Sequence, residues 1–295
     1  MSKEGHFSDR MTARIQSIES RLVVGIDPRL DCLPDGIETD DPEQALTHLG
    51  VGVIEAVAGL AAAVKPQVAF FERWGWRGWK ALETVCRSAS EHGIPVILDA
   101  KRGDIGSTAE AYAEALLGDE PGTLGPYVDA LTVNPYLGSD SLEPFFCRVR
   151  DGGRGVFVLA RTSNPGGGEF QKRPGDEIPI FEQVARAADG WGEGSRGDCG
   201  YHGVGLVVGA TYPEEIIQVR EAAPGSFLLI PGIGAQGGSI GDIAGAFDGQ
   251  GLGALVNSSR GIVQAFEKQP DRPWQEVVQE AAKESRDALE GVIWA

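Results

Sequence analysis

The sequence predicts an α/β fold, a single-domain (β/α)8 barrel, and three observations point there. Eight short apolar segments rich in β-branched residues recur along the 295 residues. They do not alternate apolar with polar positions, which is the pattern of parallel strands covered on both faces. Helical stretches lie between them, and no G-x-G-x-x-G follows the first segment. That fingerprint belongs to the dinucleotide-binding form of the doubly wound sheet, the other architecture that alternating strands and helices allow. The length suits one barrel, and no linker or composition break divides the chain. One domain is therefore expected over residues 1–295, with a short helical lead-in at the N-terminus.

In order, the strands fall at "RLVVGIDP" (21–28), "AAVKPQVAFF" (62–71), "IPVILDA" (94–100), "DALTVNP" (129–135), "GVFVLA" (155–160), "VGLVVGA" (204–210), "FLLIPG" (227–232) and "GALVNSS" (253–259). Helices are expected at "DPEQALTHLGVGVIEAVAGL", "WKALETVCRSASEHG", "STAEAYAEALLG" and "PEEIIQVREAA". In the third, Ser107 and Glu110 match a capping box and Gly118 is the expected stop. Trp74, Trp76 and Trp79, in "RWGWRGWK", are expected to pack the second helix or its lead-in. The 42 glycines punctuate the apolar segments, as tight strand-to-helix turns require. The least regular region, 163–203, carries two glycine-rich stretches and suits either a lid or a surface insertion.

Composition excludes several classes. A formal charge of −17 argues against a nucleic acid or an anionic membrane as partner, while leaving room for a small anion wherever Lys and Arg gather. No apolar run approaches the roughly 20 residues of a membrane span. The N-terminus lacks the apolar core of a signal peptide. Cys32, Cys86, Cys147 and Cys199 are widely spaced, so neither a disulfide framework nor a zinc site is expected, and a reducing cytoplasm is the expected compartment.

The chemistry gathers in "LDAKRGDIGSTAEAYA", Leu98 to Ala113, where D-x-K-x-x-D falls at a strand's end. Alternation along the strand sends Asp99 and Lys101 to one side. Alone, such a pair reads as a salt bridge. Asp104 on the following turn and Lys65 near the end of the second strand extend it to two acids and two lysines, at the end of the barrel where active sites lie. An ammonium held between carboxylates is a proton donor of fixed position. A carboxylate beside a substrate anion repels it, and the repulsion vanishes if the reaction removes that anion. A second cluster, "IPGIGAQGGS" (230–239), and a third, "NSSRG" (257–261), follow strands seven and eight, the recurrent phosphate site of this fold. Gly232, Gly234, Gly237 and Gly238 allow close backbone approach to phosphate oxygens, and Arg260 offers a forked donor. His6, His48, His92 and His202 all lie away from the strand ends that carry chemistry, and Lys101 between Asp99 and Asp104 makes them a poor metal pair.

These residues also carry a family resemblance. "LDAKRGDIGST" resembles the signature of the orotidine 5′-phosphate decarboxylases, and "GIDPR", "VKPQVAFFE", "RTSNPG" and "PGIGAQGG…NSSRG" match that family in order. The glycine-rich length and "VNPYLG" are most similar to its longer bacterial (type 2) subgroup, and the resemblance spans about residues 7–290. It implies that Lys101 is the proton donor to C6 of the pyrimidine, with Asp99, Lys65 and Asp104 completing the array. It further implies that Asp27 binds the ribose, Ser163 the pyrimidine edge, Gln236 and Arg260 the phosphate, and that Pro231 borders the base. No metal and no organic cofactor are implied. The family is a homodimer in which Asp104 and Thr108 reach into the neighbour's site. Shorter members differ at "VNPYLG", so Asn134 is left unassigned. Two other functions fit a D-x-K-x-x-D barrel. One is a magnesium-dependent sugar-phosphate lyase resembling 3-keto-gulonate-phosphate decarboxylase, which needs an acidic ligand where this chain has Lys65. The other is a non-catalytic nucleotide-phosphate-binding barrel.

Overall fold

The structure is a computed structural model, and it describes residues 5–173, 175, 177–232 and 240–294. Helix α1 (Phe7–Ile18) precedes strand β1 (Leu22–Ile26), followed by α2 (Pro42–Val57) and β2 (Ala63–Pro66). Then come α3 (Val68–Glu72), α4 (Gly75–Glu91), β3 (Ile97–Arg102), α5 (Gly106–Leu117) and β4 (Ala130–Val133). The second half runs α6 (Ser139–Gly152), β5 (Gly155–Arg161), α7 (Gly168–Gln171), α8 (Ile180–Gly192) and β6 (His202–Val208). It ends with α9 (Pro213–Ala222), β7 (Ser226–Pro231), β8 (Ala254–Ser258), α10 (Arg260–Val263) and α11 (Trp274–Ile293).

All eight expected strands are present, in one parallel sheet of order β2-β1-β8-β7-β6-β5-β4-β3. The ends meet through bridges from Val64 to Val96 and from Gln67 to Asp99, which close the barrel. Strand alternation sorts the core into two layers. Val24, Val64, Leu98, Leu131, Val156, Leu206, Leu228 and Val256 face outward and pack on helix residues such as Leu46, Val53, Leu82, Phe145 and Ile216. Val23, Ala63, Ile97, Ala130, Phe157, Val207, Leu229 and Leu255 fill the interior, and Phe7, Met11 and Ile15 of α1 plug its lower end. The Phe7 and Phe157 rings meet edge to face at 6.0 Å. With the bottom filled, the strands' C-terminal ends are left as the barrel's mouth.

Three local expectations are corrected, and one is met for a different physical reason. Helix α5 begins at Gly106, with Ile105 as an extended N-cap that makes no side-chain cap bond. Gly106 takes φ +53°, which starts the helix before Ser107 and leaves that serine inside the first turn, so no Ser107–Glu110 capping box forms. Gly118 caps the helix as expected, at φ −74°. A Cβ there would lie 2.4 Å from the Glu114 carbonyl oxygen, so crowding and not handedness accounts for the glycine. Trp74 and Trp79 pack on the core, whereas Trp76 is 69% exposed beside Arg77. The irregular region 163–203 contains the full-length helix α8, whose Phe181, Ala185 and Ala188 are buried.

Candidate active site

Interior alternation carries each strand's next inward residue to the mouth. After Val23 and Gly25 comes Asp27; after Ala63, Lys65; after Ile97, Asp99; after Ala130, Thr132; after Leu255, Asn257. These side chains line one cavity of about 440 Å³, in the range of small-molecule sites. Gly25 is the exception by necessity, since a Cβ there would lie 1.9 Å from Ser259 Oγ.

Asp99 is the hub. Lys65 Nζ donates to its Oδ2 at 2.6 Å, and Lys101 Nζ and Thr132 Oγ1 donate to its Oδ1, the latter at 3.1 Å. Burial alone would raise the Asp99 carboxyl, but the two lysines outweigh it and hold it at about 2. Lys101 reaches Asp99 through an irregular backbone and not through plain alternation. The β3–β4 register slips between Leu98 and Arg102, and Lys101 takes φ +48°, a conformation unusual for a side-chain-bearing residue. Thr132 Oγ1 accepts the Ala100 and Lys101 N–H groups at 3.0 and 2.9 Å, satisfying donors that the slip removes from the ladder. Such strain, costing on the order of 1–3 kcal/mol, persists only where its surroundings enforce it, and it clusters at functional sites.

Asp27 stands at the cavity's β1 wall. Burial pushes its carboxyl above the usual range, against the opposing pull of Lys65 and a hydrogen bond from Ser259. Its Oδ1 is buried with no hydrogen-bond partner among the described residues. Ser163, Pro231 and Arg260 complete the wall on the sides of β5, β7 and β8.

Seven of the ten expected site residues thus share this cavity: Asp27, Lys65, Asp99, Lys101, Ser163, Pro231 and Arg260. Asp104 and Thr108 do not line it. The Asp104 carboxylate accepts its neighbour's Ile105 N–H at 2.8 Å, and Thr108 is exposed on α5. Gln236, like Gly234, Gly237 and Gly238, lies outside the described residues. The sequence reading missed Gln67 and Thr132, which also line the cavity, and it gave Asn257 and Ser259 of the "NSSRG" cluster no role of their own. Counting every second residue from the interior layer finds Thr132 and Asn257. Gln67 and Ser259 lie two residues past Lys65 and Asn257 in the same count.

A closed parallel barrel with a lysine–carboxylate array at its mouth and an arginine after the eighth strand defines a class, the (β/α)8 proteins built to act on a small anionic molecule. Comparison with known proteins narrows it. The model of the orotidine 5′-phosphate decarboxylase / HUMPS family matches residues 20–271. A Rhodopirellula baltica protein named orotidine 5′-phosphate decarboxylase is 44% identical over 299 residues, covering 97% of this chain and 99% of its own. A Deinococcus radiodurans protein of the same name is 44% identical over 287 residues, covering 97% and 98%. The structure of Leishmania donovani OMP decarboxylase superposes with a TM-score of 0.79 at 36% identity, covering 98% of this chain and 99% of that one. The chain belongs to the orotidine 5′-phosphate decarboxylase / HUMPS family.

Proposed function

We propose that this protein is a carboxy-lyase that converts orotidine 5′-monophosphate to UMP and CO2 in pyrimidine biosynthesis. One observation carries the reading: Asp99, buried and anionic, is clasped between Lys65 and Lys101 at the cavity floor. The bond from C6 to the carboxyl carbon breaks, CO2 leaves, and the electron pair stays on C6 as a carbanion. Lys101 Nζ delivers a proton to that carbon. A substrate carboxylate placed near Asp99 is repelled in the ground state, and its loss as neutral CO2 relieves the repulsion while the lysines stabilise the carbanion. Asp27 with its unpartnered Oδ1 accepts a ribose hydroxyl, Ser163 meets the pyrimidine edge beside Pro231, and Arg260 with Gln236 grips the phosphate.

The same reading makes the protein a one-domain, cytoplasmic homodimer that acts without metal or cofactor. Asp104 and Thr108 lie outside their own chain's cavity, as residues lent to a neighbour would. Ile105, Tyr136 and Leu137 are 60%, 86% and 48% exposed on the loops after β3 and β4, which touch at Gly103 and Asn134. An apolar surface there suits a two-fold interface. Among the described residues no helix is long and apolar enough to cross a membrane.

The rival magnesium-dependent lyase needs an acid where Lys65 stands, and the non-catalytic barrel has no use for the array. Following orotidylate in EDTA separates the three. UMP and CO2 should form at full rate; activity only after magnesium is added, or none at all, overturns the proposal.

A further inference from the structure

A second charged cluster, outside the reaction centre, sits behind the β5 wall of the cavity. At the end of β5 the register slips, with Leu159 opposite Val207 and Arg161 opposite Val208. Such a bulge re-aims a side chain, and Arg161 points to α9 and not into the cavity. Its Nε donates to Glu215 Oε2 at 2.5 Å, and its Nη1 to the Thr162 carbonyl at 3.0 Å and to Gln171 Oε1 at 3.2 Å. The Tyr212 ring covers the guanidinium at 4.5 Å. Arg161 and Glu215 are 3% and 4% exposed.

The same carboxylate holds the other end of the loop. Glu215 Oε1 accepts from Lys172 Nζ at 2.8 Å, and Gln171 Oε1 accepts the Thr162 N–H at 2.9 Å. Both ends of the segment 162–172 therefore converge on Glu215. Between them, Ser163 and Asn164 line the cavity. The loop rests directly on the chain after β6, where a Cβ on Gly209 would come within 2.8 Å of Ser163 N and Cβ.

A buried ion pair is weak support for stability, because desolvation offsets most of the attraction. What this one supplies is geometry. It fixes the backbone of a loop residue that a ligand must meet to within about 0.5 Å. We propose that Glu215, acting through Arg161, Lys172 and Gln171, is a positioning residue for Ser163, so that a side chain on α9 sets how well the cavity grips its substrate. This rests on the decarboxylase reading above.

A double-mutant cycle on kcat/KM for orotidylate tests it, with unfolding temperatures measured alongside. Glu215→Gln should lower kcat/KM about tenfold, the rate equivalent of one well-placed hydrogen bond. In a Ser163→Ala background, where nothing remains to be positioned, the same change should cost little, whereas with Arg260→Ala it should cost the full factor. Equal losses in all three backgrounds, or none in the wild type, overturn the inference. If Glu215→Gln does not fold, Gln171→Ala, which leaves the buried pair intact, runs the same cycle with the same two outcomes. A wild-type protein inert toward orotidylate sinks the functional reading and this inference together. An active wild type with an additive cycle sinks the inference alone.

Discussion

Thr132 Oγ1 donates to Asp99 Oδ1 at 3.1 Å while accepting the Lys101 backbone N–H at 2.9 Å. One hydroxyl on β4 therefore orients the carboxylate and pins the strained backbone of the lysine beside it. Thr132→Val keeps the shape and removes these two bonds together with the one from the Ala100 N–H. It should lower kcat by about tenfold or more, with the fold retained, and Thr132→Ser should recover most of the loss. A valine variant with wild-type kcat would show that the hydroxyl is idle.

Lys101 is the proton donor in the proposed reaction. Lys101→Ala should reduce kcat at least a hundredfold, since positioned acid–base catalysis contributes about 10²–10⁴. UMP binding, measured by calorimetry, should survive. A variant that keeps more than about a hundredth of the rate would place the proton elsewhere.

Arg260 is the test of the phosphate end. Arg260→Ala should weaken orotidylate strongly and leave turnover of the phosphate-free nucleoside nearly unchanged. Comparable losses on both substrates would move Arg260 from phosphate binding to the fold or the chemistry.

The strands were legible because parallel strands covered on both faces leave unbroken apolar runs, and the charges at their ends stand out against that background. Asp27, Lys65 and Asp99 could be placed by alternation alone. Counting by twos brings Thr132 to the mouth, but its residue type marks no function there, because a β-branched residue in "DALTVNP" reads as strand filling; its role arises from the register slip of β3, which no residue type announces. The positive φ of Lys101 has no sequence mark either, since a turn of that kind is normally signalled by glycine. Glu215 in "TYPEE" reads as a first-turn acid on a surface helix, and only the bulge at Arg161 shows why it is buried.

His202 sets an acid limit on stability. It is buried at the start of β6, with Nε2 3.2 Å from Asp189 Oδ1 and Nδ1 buried without a partner among the described residues. Burial depresses its folded-state pKa below the usual 6.5, and the Asp189 hydrogen bond opposes this incompletely. The unfolded chain therefore takes up the proton first. The neutral histidine's stabilising share is present above about pH 6.5 and is lost as pH falls below it. Between pH 7.5 and 5.5 the wild-type Tm should drop more than that of His202→Gln. Parallel curves would show that His202 does not titrate on unfolding in this window.

The last prediction is that two chains build each active site. Asp104 and Thr108 follow the end of β3 on a turn and the first turn of α5, outside the cavity that Lys101 lines in its own chain. A two-fold interface brings the same patch together twice, so each cavity would receive one such pair from the neighbour. Lys101→Ala and Asp104→Ala should each be inactive alone. In a mixed dimer one site collects both defects, and the other combines an intact Lys101 with an intact Asp104. Random exchange of equal amounts makes about half the dimers mixed, each with one good site of two, so about a quarter of wild-type activity should return. Differently tagged chains verify that exchange is complete. If they do and the mixture stays inactive, Asp104 serves its own subunit and the shared site is wrong.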